Sequence, residues 1–139
     1  MTRPKSGVSI ALFRGGNVLL VKRGKEPFKG WWSLPGGLRQ KGERLETAAR
    51  RELMEETGLV AGKLEFVEIF EPASNGGSSN PTARFALAVF VGRPESGSEK
   101  AGDDAAALRW HPVASLEGLR ITPNTAAVIA RAFIAIGRS

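Results

Sequence analysis

The sequence predicts a mixed α/β (α+β) domain in which a mixed β-sheet is sandwiched between α-helices. Three observations point there. Short apolar runs of strand character are separated by Gly- and Pro-rich turns. Two segments show helical apolar spacing. Helices fall between and after the strands, so both faces of a sheet have an element to cover them. The 139 residues suit a single domain, 1–139, around one core.

Residues 8–13 (VSIALF) read as a first strand and residues 18–21 (VLLV) as a second. Between them Arg14-Gly15-Gly16-Asn17 tolerates positive φ, which makes a hairpin. Residues 24–37, rich in Gly and Pro around Trp31, Trp32 and Leu34, read as an ordered loop or short strand. A helix is expected over 44–57, closed by Gly58 in left-handed geometry. Residues 64–71 alternate as a strand, 72–82 read as a flexible loop, and 83–91 as a buried strand. Residues 92–104 are polar and Gly-rich and read as a second mobile loop, with a last strand over 105–110. Pro123 suits the first turn of a C-terminal helix with Thr122 as its cap, and Val128, Ile129, Ala132 and Phe133 recur there at helical spacing.

Composition narrows the class. With 42% hydrophobic and 24% charged residues the chain resembles an ordinary globular protein. No apolar run approaches the ~20 residues that span a membrane. The basic start Met1-Thr2-Arg3-Pro4-Lys5 leads into no long apolar stretch, so no signal peptide is expected. Cysteine is absent, which excludes disulfides and thiolate metal sites and makes the cytoplasm the default expectation. Residues 1–51 hold twelve of the 20 Lys/Arg and three acids, Glu26, Glu43 and Glu46. A basic half suits polymeric nucleic acid or a small phosphorylated anion. The bases are scattered and no nucleic-acid-binding motif is evident, so the small anion is the expected partner.

The helix over 44–57 carries an oddity. At about 100° per residue, Leu45, Ala48, Ala49 and Leu53 form one apolar stripe. Glu52 and Glu56 fall inside that stripe, stacked one turn apart, with Glu55 at its edge. Arg50 and Arg51 point elsewhere on the wheel. Part-buried carboxylates this close repel unless something neutralises them, and a hard divalent cation, which prefers oxygen ligands, is the simplest partner. The competing reading is a solvated acidic patch, since charged residues are mostly exposed; the wheel position argues against it.

Before the helix, Leu34-Pro35-Gly36-Gly37 makes a tight turn whose glycines let backbone approach a ligand closely. Gly37, then Glu43, then Arg51-Glu52-Leu53-Met54-Glu55-Glu56-Thr57-Gly58-Leu59 match the Nudix signature at every specified position. The chain resembles the Nudix hydrolases, with the box at 37–59. Val21-Lys22-Arg23, Trp31-Trp32 and Arg109-Trp110 extend the likeness along the chain. The resemblance implies a Nudix fold and hydrolysis of a nucleoside diphosphate linked to another moiety, using magnesium or manganese. It implies that Glu52 and Glu56 ligate metal, joined by the Gly37 carbonyl, and that Glu55 is a further ligand or a base. Glu43 and Arg51 would hold the loop-helix-loop together by ion pairing. A cation across diphosphate oxygens offsets developing charge and acidifies water, whereas a free glutamate near ~4.3 is too weak a base alone. Homodimers are frequent among such proteins; a membrane partner is not expected.

Substrate choice lies outside the box. Pro72 follows it at the spacing of many ADP-ribose pyrophosphatases, and the absence of tyrosine removes a mark of diadenosine-polyphosphate hydrolases. An ADP-ribose-like substrate is expected, with MutT-type hydrolysis of oxidised nucleoside triphosphates as the alternative and a non-catalytic nucleotide-binding module as a third. Lys22 and Arg23 are candidates for substrate phosphate; Phe28, Trp31 and Trp32 for stacking on a base, against a packing role for one or both tryptophans. Asn124 is a candidate base contact or a capping residue, and His111, in a loop beside Trp110 and Pro112, reads as structural. Ala107 stands where many relatives carry a glutamate. That leaves Asp103 and Asp104, in a loop with Gly97 and Gly102, as possible loop acids or as solvated bystanders.

Overall fold

Both predicted layers of helix form, one on each side of a mixed sheet. The computed structural model describes residues 5–71, 85–102 and 104–138. Strands β1 (Lys5–Arg14) and β2 (Asn17–Arg23) form the predicted hairpin, closing at Phe13↔Val18 and Arg14↔Asn17. Short strands β3 (Trp32–Ser33) and β4 (Gly36–Leu38) lead into α1 (Leu45–Thr57). Then come β5 (Leu59–Ala61), β6 (Glu65–Phe70), β7 (Phe85–Gly92), β8 (Pro94–Gly97) and β9 (Ala105–Pro112). A 3-10 segment (Val113–Gly118) and α2 (Thr125–Ile136) complete the described chain.

The first part of β1 runs parallel to β7 and antiparallel to β4, with β6 antiparallel beyond β7. Past the hairpin, β2 lies between β3 and β9, antiparallel to both. Alternation along β1 splits the core in two. Val8, Ile10 and Leu12 join Ala48, Ala49 and Leu53 of α1 on one face. Ala11 and Phe13 join Ile129, Ala132 and Ile136 of α2 on the other. Leu53 is fully buried, and burying such a side chain stabilises by roughly 1.5–3 kcal/mol. That anchorage fixes which face of α1 meets the sheet. Among the described residues no helix is long and apolar enough to cross a membrane.

Several expectations need correction. Residues 92–104 are not one loop: β8 lies within them and pairs with β5. Backbone amides ladder there despite the polar side chains, because pairing needs no apolar residue. The C-terminal helix starts later than Pro123, with Asn124 at its N-cap position at φ 69 and without a side-chain capping bond. The Thr122 hydroxyl bonds the Thr125 hydroxyl instead of capping the helix. His111 belongs to β9, not to a loop, and is buried. The expected loop at 72–82, with Pro72, lies outside the described residues, as does Asp103.

Candidate active site

The apolar stripe of α1 turns Glu52 and Glu56 toward the strand that precedes the helix. The Gly36 amide donates to Glu56 Oε2 at 2.7 Å. The Glu52 carboxylate packs directly on Gly37: a Cβ there would sit 2.5 Å from it and would push the carboxylate aside. The two glycines thus form a backbone floor under two stacked carboxylates. Gly58 closes the helix in left-handed geometry at φ 75.

Arg51 reaches further than the helical wheel suggests. Its Nε and Nη2 form a two-pronged bond to Glu43 at 2.8 and 2.9 Å. Its Nη1 donates to Glu52 at 2.8 Å and to Glu55 at 3.0 Å. The long side chain folds back along the helix, so Glu52 has a cationic neighbour that the wheel alone does not reveal. Arg50 is turned away, onto Glu46 and the carbonyls of Ala61 and Gly62.

The electrostatics separate the four glutamates. The Arg51 hydrogen bond, helped by the Gln40 amide, holds the Glu43 carboxyl down at about 2. The same pairing raises the Arg51 guanidinium. Burial pushes Glu52 up, against the pull of Arg51. Burial also pushes Glu56 up to about 7, opposed by the Gly36 hydrogen bond and reinforced by Glu52 and Asp104. Glu55 is half exposed. A part-buried acid without an ion-pair partner among the described residues, beside a second raised acid, is the kind of group that active sites gather.

Other predicted residues surround this pair unevenly. Arg23 is near enough to lower Glu56 electrostatically, while its Nε bonds the Pro27 carbonyl at 2.7 Å. Lys22 sits beside it in β2, opposite Trp32 and Ala107. Phe28 and Trp31 meet with ring centroids 5.1 Å apart, and the Arg23 amide bonds the Trp31 carbonyl. Trp32 packs into the α2-side core. Asp104 is tied down: Lys25 pairs with its carboxylate at 2.7 Å and the Gly24 amide bonds its carbonyl at 3.1 Å. Asn124 is exposed at the start of α2. The His111 Nε2 bonds the Ser115 carbonyl at 2.8 Å, fastening the 3-10 segment.

Sequence reasoning missed Arg120 and Glu99. Arg120 lies 5.6 Å from the Trp31 ring centre, brought there because Ile121 bridges Trp32 alongside β3. Glu99 accepts the Trp110 indole N–H at 3.1 Å. Arg120 stands between Leu119 and Ile121 and Glu99 beside Lys100 in a polar stretch, and no spacing marks either.

A mixed sheet between two helices, with a loop-helix-loop presenting stacked glutamates over a diglycine strand, defines a Nudix-type protein. The family model described as NUDIX domain matches residues 3–133, and the chain belongs to the Nudix hydrolase family. It is 34% identical over 102 residues to an ADP-ribose pyrophosphatase of Methanocaldococcus jannaschii, covering 73% of this chain and 58% of that one. It is 31% identical over 110 residues to a MutT-like protein of Streptomyces ambofaciens, covering 77% and 64%. The chain therefore spans less than two thirds of the length of these curated relatives. Among solved structures, a MutT NUDIX hydrolase from Burkholderia pseudomallei superposes with a TM-score of 0.82 at 26% identity, covering 94% of this chain and 98% of that one.

Proposed function

We propose that this chain, as one Nudix unit, hydrolyses the phosphoanhydride bond of an ADP-ribose-like nucleoside diphosphate with the help of a divalent cation. The observation that carries the proposal is the pair Glu52 and Glu56: stacked, part-buried, both raised by burial, and seated on Gly36 and Gly37. Nudix hydrolases generally use divalent metals, and two oxygen donors of this kind suit a hard cation. Among the described residues no group of three or more acids or histidines is gathered as a ready metal cage. Arg51 lies against Glu52 and Glu55. Release of Glu52 by Arg51 would free that carboxylate while the two-pronged bond to Glu43 keeps the loop-helix-loop closed. The residues that would hold the cation are Glu52 and Glu56, with Glu55 and the Gly37 carbonyl beside them.

When bound, the cation offsets charge on the diphosphate and makes water easier to deprotonate. The chain's own residues do the rest. Gly36 fixes the Glu56 carboxylate through its amide, and Glu55, half exposed beside the pair, serves as a further ligand or as the base. Arg23 and Lys22 supply positive charge for the phosphates, and Phe28 with Trp31 offers an aromatic surface for a base. Glu43 and Arg51 hold the frame.

The ADP-ribose preference rests on the likeness to the Methanocaldococcus jannaschii enzyme. The likeness to MutT-named proteins favours oxidised nucleoside triphosphates as a second reading. Measuring kcat/KM for ADP-ribose and 8-oxo-dGTP on one preparation separates them. ADP-ribose is expected to be preferred, yielding AMP and ribose 5-phosphate; a preference for 8-oxo-dGTP overturns the substrate assignment.

A further inference from the structure

Residues 98–102 lie across the last turn of α1. Lys100 donates its amide to the Thr57 carbonyl at 2.8 Å and Gly102 donates to the Glu56 carbonyl at 2.9 Å. They satisfy two of the carbonyls that a helix C-terminus leaves open. The approach is close enough that a Cβ at Gly102 would run into the Glu55 carbonyl. This segment is therefore fitted against the backbone of Glu55, Glu56 and Thr57, the turn that carries two of the site's carboxylates.

Its side-chain anchorage to the sheet comes from Glu99. Glu99 Oε2 accepts the Trp110 indole N–H at 3.1 Å and lies 3.7 Å from the Arg14 guanidinium. Arg14 in turn covers the Trp110 ring at 4.1 Å, and Trp110 packs against the α1-side core. One carboxylate thus ties the segment to β9 and to the end of β1. An ion pair this exposed contributes little to global stability, so its effect is local.

We propose that Glu99 is a positioning residue, fastening residues 98–102 to Trp110 and Arg14 and thereby keeping the last turn of α1 set so that the Glu56 carboxylate stays on the Gly36 amide. The inference rests on the reading of Glu56 as a working carboxylate. It differs from a purely structural role because the effect should appear at Gly36, which Glu99 does not touch, and should fall on kcat more than on KM.

The test compares the native protein with Glu99→Ala and Glu99→Gln. Amide hydrogen exchange is read at Lys100, Gly102 and Gly36, and kcat and KM are measured on ADP-ribose at saturating magnesium. Glu99→Ala should speed exchange at all three amides by about tenfold or more. It should lower kcat by about tenfold with KM within about threefold. Glu99→Gln, whose amide oxygen still accepts from Trp110, should recover most of both losses. Unchanged exchange at Gly36 in Glu99→Ala overturns the inference, as does unchanged kcat, or a Gln variant no better than Ala. If the native protein hydrolyses no nucleoside diphosphate, the functional reading falls by itself. Exchange at Gly102 and Gly36 then decides the positioning role: faster in Glu99→Ala sustains it, unchanged overturns it.

Discussion

Replacing Glu56 by Gln should stabilise the metal-free protein, and only above mildly acidic pH. Burial is the main reason that the Glu56 carboxyl rises from 4.5 to about 7. A folded-state pKa above the unfolded one means that the native state holds the proton more tightly. Native stability therefore falls as pH climbs from about 4.5 to about 7, and the penalty is complete above that. At about 1.4 kcal/mol per pH unit the displacement is worth at most about 3.5 kcal/mol. Partial solvent access reduces it, so a gain of about 1–2 kcal/mol is expected. Gln keeps an oxygen to accept the Gly36 amide, so the hydrogen bond survives while the charge goes. Urea unfolding in EDTA at pH 8 and at pH 4.5 measures both limbs. The variant should be the more stable at pH 8, with the gap nearly closed at pH 4.5. A variant equal to or weaker than the native protein at pH 8, or an advantage independent of pH, refutes the reasoning.

Two further outcomes follow from the ion pairs. Glu43 is held at about 2 by Arg51, below its unfolded value of 4.5, so its contribution is present above that value and fades as pH falls toward 2. Glu43→Gln should lower the thermal midpoint at pH 7, and the difference should shrink in scans taken at progressively lower pH; a constant gap counts against the pairing. Asp104→Asn should leave kcat within about threefold, because Lys25 and Gly24 hold Asp104 in place. A loss of about two orders of magnitude would instead make it an acid-base group.

The sandwich was legible because its signals are local. The hairpin shows in Gly15 and Gly16, α1 in its stripe and in Gly58, and the box glutamates in their conflict with that stripe. What sequence hid depends on reach or on long-range pairing. Arg51 folds back onto Glu52 because its side chain is long enough to leave the wheel direction assigned to its Cβ. Strand β8 pairs with β5 through backbone groups that every polar residue also carries. Asn124 falls at a helix start that capping rules place two residues too early. Arg120 and Glu99 act through Trp31 and Trp110, distant partners that only the folded sheet brings near.

The central claim is that Glu52 and Glu56 together hold a divalent cation for phosphoanhydride hydrolysis. The most direct measurement is the rate of AMP release from ADP-ribose at saturating magnesium by the native protein, Glu52→Gln and Glu56→Gln, each repeated after dialysis against EDTA. The native rate should vanish with chelation and return with magnesium or manganese, while each Gln variant should lose at least about two orders of magnitude in kcat. Near-native turnover in both variants, or full activity in EDTA, contradicts it.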